Sequence, residues 1–203
     1  EIFHKGLGSV AERNFRPHVN CVNITPDQKY LCAVDLGVDQ VKIYKFNHET
    51  GKITLVDMLR CELESAPRII KFSPDGRFAY LICELKNYIS VYSYKDGPRG
   101  PIFELVQTIS TLNDYHSKGS AACVLRFSRD WNYVLCSNAG DNSIGIFKVD
   151  HETGMLEKIC ILPISGDYPK AADFFPDNRH IMSLNHETNT MTIFKINYEK
   201  KYF

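Results

Sequence analysis

The feature that most constrains this chain is a short turn that recurs four times: Thr25-Pro26-Asp27, Ser73-Pro74-Asp75, Ser128-Arg129-Asp130 and Phe175-Pro176-Asp177. The four Asp residues are 48, 55 and 47 positions apart. A period in that range is one supersecondary unit copied along a chain, and such a unit buries its apolar face only by stacking on its neighbours. The copies align without a gap for seventeen residues beyond each Asp. Three residues on stand Tyr30, Phe78, Tyr133 and His180; twelve on stand Asp39, Asn87, Asn142 and Asn189. The latter are turn formers whose side chains bond their own backbone. The positions fourteen and sixteen on are apolar in every copy: Val41 and Ile43, Ile89 and Val91, Ile144 and Ile146, Met191 and Ile193. An aromatic follows at seventeen, as Tyr44, Tyr92, Phe147 or Phe194.

Short β-branched and aromatic runs between turn signals specify strands. Each copy therefore predicts a strand before the turn, one after it, and a third ending in the aromatic. A fourth follows in three copies, at Ile53–Leu59, Phe103–Ile109 and Leu156–Leu162. Gly51 and Gly154 sit in linking turns that need positive φ. No window carries a sustained 3.6-residue apolar period, so helix should be scarce. Four antiparallel strands in about 50 residues make a β-propeller blade. The expectation is an all-β chain: one partial β-propeller domain over residues 1–203, with blades near 16–65, 66–118, 119–166 and 167–203. Glu1–Arg16 reads as the tail of something earlier. Open blade edges need cover, from further blades of a larger propeller or from a second copy or other partner.

Lys plus Arg equal Asp plus Glu at 24 each, so no net field draws nucleic acid or an anionic membrane. No run approaches the roughly 18 apolar residues of a membrane span. The seven Cys show no CxxC spacing, and Cys32, Cys83 and Cys136 fall inside predicted strands. There a reduced thiol is a small hydrophobe. The reading is a reduced, cytoplasmic protein with no disulfide framework and no zinc knuckle, in which the sequon at Asn23 is silent. His-Glu-Thr recurs at His48, His151 and His186 but never continues to HExxH on a helix, so it specifies no metal site. Trp131 is expected to serve packing or surface, not ligand stacking.

Function should show where the copies disagree. Seven residues before each Asp come Asn20, Arg68, Cys123 and Lys170; nine after it come Leu36, Glu84, Ala139 and His186. These positions vary while their framework does not. The second copy holds Arg68 with Glu84, the fourth Lys170 with His186, and the first offers Pro17-His18-Val19-Asn20 followed by Asp35-Leu36-Gly37.

These residues resemble those of the propeller lactonases, the family of bacterial 6-phosphogluconolactonase and fungal 3-carboxymuconate cyclase. The resemblance runs from about His4 to Phe194. It is carried by His4-Lys5-Gly6-Leu7-Gly8, Pro17-His18-Val19-Asn20, Asp35-Leu36-Gly37-Val38-Asp39, Pro67-Arg68 before Phe72-Ser73-Pro74-Asp75-Gly76-Arg77, Glu84-Leu85 and Ser137-Asn138. The resemblance implies seven blades, of which this chain supplies about four. It also implies an active-site His, Arg and Glu. Arg68 and Glu84 match two of them, and the His falls on His18, or on Asn20 as a departure. The chain departs again at Ala139 and Lys170, where the family often has Arg.

Opening a lactone with water needs a base for the nucleophile and a donor or cation for the developing oxyanion. The resemblance makes His18, Arg68 and Glu84 the catalytic candidates, with Glu84 as base, Arg68 on the oxyanion or a substrate phosphate, and His18 on the leaving hydroxyl. Asn20, Asp35, Lys170 and His186 are the candidate substrate-binding residues, the last two as an anion-binding rim. The implied substrate is a sugar lactone, foremost 6-phosphogluconolactone, with no metal or cofactor. Two readings stand beside it: a non-catalytic propeller scaffold binding a protein or small ligand, and a muconate cyclase-like lactonising enzyme. For Arg68 and Glu84 the plain alternative is a salt bridge pinning adjacent strands, worth ~0–1 kcal/mol if exposed.

Overall fold

The computed structural model of the chain describes residues 1–9, 15–113 and 119–198. The expected blade ends at 118 and 203 lie outside the described residues. In chain order the strands are β1 (Val19–Ile24), β2 (Tyr30–Asp35), β3 (Gln40–Phe46), β4 (Ile53–Arg60), β5 (Pro67–Phe72), β6 (Phe78–Cys83), β7 (Tyr88–Gly97), β8 (Gly100–Ser110), β9 (Ala122–Phe127), β10 (Tyr133–Asn138), β11 (Ser143–Val149), β12 (Leu156–Pro163), β13 (Pro169–Phe174), β14 (His180–Asn185) and β15 (Thr190–Lys195). Consecutive strands pair in order, giving the sheets β1-β2-β3-β4, β5-β6-β7-β8 and β9-β10-β11-β12 and the three-stranded β13-β14-β15. This is propeller-blade topology, as the repeat predicts. Among the described residues helix is limited to one 3₁₀ turn, Leu36–Val38. The third strands run past their aromatic, to Phe46, Gly97 and Val149, where the hairpins that follow keep the ladder paired, and to Lys195, which pairs back with His180.

The turn motif works by side-chain chemistry. Thr25, Ser73 and Ser128 donate their hydroxyls to Asp27, Asp75 and Asp130 at 2.5, 2.6 and 2.6 Å. Each carboxylate also accepts the amide two residues on, from Lys29, Arg77 and Asn132. In the fourth copy Phe175 has no hydroxyl to give. There Asp177 takes the His180 imidazole instead, Nδ1 to Oδ2 at 2.6 Å. Two departures from the repeat thus compensate each other. The residue after each Asp is left-handed, with φ of 59° at Gln28, 73° at Gly76, 61° at Trp131 and 54° at Asn178. Trp131 accordingly sits on the turn, its ring 4.4 Å from that of Phe127, in packing as expected.

The position twelve beyond the turn does more than form a turn. Asp39, Asn87, Asn142 and Asn189 are all left-handed, φ 51–53°, which Asn and Asp tolerate best among residues with a side chain. The side chains of Asp39, Asn87 and Asn142 reach into the next repeat. Asp39 accepts the amides of Glu64 and Ala66 at 2.9 and 2.8 Å. Asn87 donates to the Ser120 carbonyl, and Asn142 accepts the Tyr168 amide at 2.8 Å. At Asp39, Asn87 and Asn142 the residue that closes a turn therefore also latches the following repeat.

The chain divides into two compact units, Glu1–Lys86 with Ser90–Val106, and Asn87–Ile89 with Gln107–Phe203. The first is centred on side chains such as Ile43, Ile70, Tyr80, Leu81 and Ile82, all fully buried. The second has its own core, built on Leu135, Ile144, Ile146 and Ile181. Each such side chain contributes about 1.5–3 kcal/mol by leaving water. No helix among the described residues is long and apolar enough to cross a membrane.

Candidate active site

A repeated backbone hydrogen bond builds the variable positions into a cluster in every copy. The carbonyl nine residues before the Asp accepts the amide nine residues after it. The pairs are His18 with Leu36 at 3.0 Å, Ala66 with Glu84 at 2.8 Å, Ala121 with Ala139 at 2.8 Å and Tyr168 with His186 at 3.0 Å. With the position seven before the Asp, each copy presents three side chains near the start of its first strand. The trios are His18, Asn20 and Leu36; Ala66, Arg68 and Glu84; Ala121, Cys123 and Ala139; and Tyr168, Lys170 and His186. The third trio is small, apolar and buried. The others carry the polar groups.

Within the first unit, Arg68 on β5 forms an ion pair through Nη1 with Oε2 of Glu84, just beyond β6. The two are sixteen residues apart and face each other because β5 and β6 are antiparallel. Glu84 is 1% exposed and Arg68 29%, so the guanidinium is the member that meets solvent. The Asn20 side-chain amide on β1 reaches toward the Arg68 carbonyl, at 3.5 Å. The structure therefore brings Asn20, Arg68 and Glu84 together. His18, exposed, joins this end of β1 through its backbone: its carbonyl holds Leu36 and its amide donates to Asp35.

Asp35, expected on the substrate-binding side, is completely buried. Its Oδ1 accepts the His18 amide at 2.7 Å and the Gly37 amide at 3.2 Å, and its Oδ2 meets His4 Nδ1 at 2.6 Å. A buried carboxylate is tolerable only with such partners, and these come from the chain itself. Its place is beneath the cluster, holding the backbone that carries His18. Gly37 is equally constrained, since a Cβ there would lie 1.7 Å from the Arg16 carbonyl oxygen.

In the second unit, Lys170 lies over the ring of Tyr168 at 5.4 Å, and the Tyr168 and His186 rings are 6.4 Å apart. Both Lys170 and His186 are exposed, as an anion-binding role would require, and His186 Nδ1 is 3.2 Å from Glu187. Tyr168 and His4 join these arrangements without having been site candidates from the sequence. Tyr168 could have been found, because its position varies as His, Ala, Ala and Tyr between copies. His4 stands in a motif visible in the sequence, but its role is not visible there, because its partner is 31 residues away.

All seven cysteines are free. Burial pushes the Cys32 and Cys136 thiols up to about 12, which leaves them poor nucleophiles near neutrality. Among the described residues, no group of three or more His, Cys, Asp and Glu is placed to hold a metal ion. Of the His-Glu-Thr turns, His48 caps the Gln28 carbonyl and His151 meets Asn132.

The chain is 29% identical over 195 residues to the 6-phosphogluconolactonase of Bacillus subtilis, covering 96% of this chain and 54% of that protein. The periplasmic gluconolactonase of Pseudomonas aeruginosa superposes with a TM-score of 0.88 at 27% identity, over 98% of this chain and 56% of that one. A Lactobacillus plantarum protein of known structure gives 0.87 at 28% identity, over 99% and 57%. The chain thus spans about half the length of the curated relatives it matches. The model of the lactonase family, a seven-bladed β-propeller, matches residues 1–201, and the chain belongs to that family.

Proposed function

We propose that this chain carries part of the active site of a lactonase that opens a sugar lactone, foremost 6-phosphogluconolactone, to the hydroxy acid. The observation that carries this reading is the Arg68–Glu84 pair, which places a buried carboxylate behind a solvent-facing guanidinium beside Asn20. In the proposed reaction Glu84 accepts a proton from water as its oxygen attacks the lactone carbonyl. Arg68 donates to the oxyanion that develops there. The ring C–O bond then breaks, and the leaving alkoxide takes a proton from His18 or from water. Asn20 orients substrate hydroxyls, and Asp35 serves as a positioning residue. In the second unit, taken by itself, Lys170 over the Tyr168 ring beside His186 is an exposed cation on an aromatic platform, suited to an anionic group. The balanced charge and free thiols support a cytoplasmic setting, consistent with the phosphorylated sugar acid as product and a place in the pentose phosphate pathway.

The non-catalytic scaffold is favoured by one observation: a pair with Glu84 this buried also braces β5 against β6. Breaking such a pair by removing one partner costs several kcal/mol, because it strands the other charge. Arg68→Lys keeps the charge and Glu84→Gln keeps the size of the side chain, so both are milder than truncation and let stability and turnover be read separately. In the whole protein, assayed at a temperature where each variant is still folded, each should lower kcat for 6-phosphogluconolactone hydrolysis by ~10²-fold or more, whereas a pure brace would lower the melting temperature and leave kcat. Full activity in either variant removes that residue from the mechanism. No lactonase activity in the wild type leaves the scaffold.

A further inference from the structure

The His4-Lys5-Gly6-Leu7-Gly8 motif has a placement that the reaction above does not use. His4 lies against β2 and β3, with its side chain only 6% exposed. Its Nδ1 is 2.6 Å from Oδ2 of Asp35, and its Nε2 shares a 3.0 Å hydrogen bond with the Tyr44 hydroxyl. The two rings stack at 29°, with centroids 6.1 Å apart. Both ring nitrogens have a partner, so the ring's orientation is fixed at each end. The other Asp35 oxygen holds the His18 amide at 2.7 Å. A continuous line of hydrogen bonds thus runs from Tyr44 through His4 and Asp35 to the backbone that opens β1, two residues before Asn20.

We infer that His4 is a positioning residue: through Asp35 it sets the backbone at His18, and with it the reach of His18 and Asn20. This rests on the lactonase reading only for its catalytic consequence. Asp35 is fully buried, so Oδ2 has no water to replace a lost donor. Without His4 the carboxylate must either take up a proton or shift toward solvent. Both outcomes weaken its hold on the His18 amide. A displacement of about 1 Å at a catalytic group is enough to cost ~10²-fold in rate.

The test has two readouts in the whole protein. The first is hydrogen exchange at the peptide containing His18, which needs no activity. His4→Ala should speed exchange of the His18 amide by tenfold or more, as should Asp35→Asn. His4→Asn, whose side-chain amide can replace the Nδ1 donor, should restore most of the protection. The second is lactone hydrolysis, where His4→Ala should lower kcat about tenfold with KM nearly unchanged, and His4→Asn should recover it. Unchanged exchange at His18 in His4→Ala overturns the inference, whatever the activity. Loss of protection across the whole chain, or failure of His4→Asn to rescue, also overturns it by reducing His4 to a general fold element. A wild-type protein with no lactonase activity overturns the catalytic reading but leaves the exchange test intact.

Discussion

Gly37 shows how a single residue can carry a site without touching a ligand. It follows the buried Asp35 in a 3₁₀ turn that packs directly on the Arg16–His18 backbone. A methyl group 1.7 Å from the Arg16 carbonyl oxygen cannot be absorbed by a rotamer change, because the obstacle is main chain. Gly37→Ala should therefore destabilise the protein by about 2–3 kcal/mol or more, in the upper range for overpacking. A fall in melting temperature of several degrees checks this, and a melting temperature equal to wild type would mean the turn moves freely. The Asp-Leu-Gly motif was recognisable in the sequence. Its roles were not, since Asp35 gained its duties from His4 and His18, 31 and 17 positions away.

Between the strands, the left-handed latch is the device that recurs. Asp39 spends its carboxylate on the amides of Glu64 and Ala66 while its own backbone stays at φ 53°. Asp39→Ala removes a buried acceptor and places an Ala in a conformation that disfavours it, which should cost about 3 kcal/mol. Asp39→Asn keeps an acceptor and tolerates the backbone, so it should cost about half as much. Urea denaturation separates the two, and equal losses would show that only the charge matters. Strands were readable because alternation and turn chemistry are written in neighbouring residues. The latch was not: an Asn or Asp in such a position satisfies a local bond as well as a distant one, and nothing local chooses between them.

Taken as one molecule, the repeat makes the chain sensitive to acid. At Asp75 burial pushes the carboxyl up, but hydrogen bonds from Ser73 and from the Arg77 side chain and amide, with the Arg77 charge, outweigh it and hold the group at about 2. Asp130 is likewise lowered, against burial, by the Ser128 hydroxyl and Asn132. Asp177 is lowered by the Arg179 amide and the His180 side chain. A carboxyl depressed in the folded state stabilises it above its unfolded value, near 3.8 here. That contribution disappears as pH falls toward the folded value. The urea midpoint should therefore hold above pH 5 and fall between about pH 4 and 2, with Asp75→Asn flattening that fall slightly because the site is partly exposed. A midpoint independent of pH across that window would show the turns to be indifferent to their charge.

Period, blade, turn type and the odd residues at the variable positions all follow from the order of amino acids. Strand alternation and Ser-Pro-Asp chemistry act over a few bonds, so a repeat displays them openly. The pairing of Arg68 with a Glu84 that is 1% exposed, the burial of Asp35 and the capture of His4 came from packing. Burial and partner choice depend on which strands lie side by side and how tightly they exclude water, and a carboxylate in the sequence is the same letter whether it faces a substrate or holds the backbone beneath it.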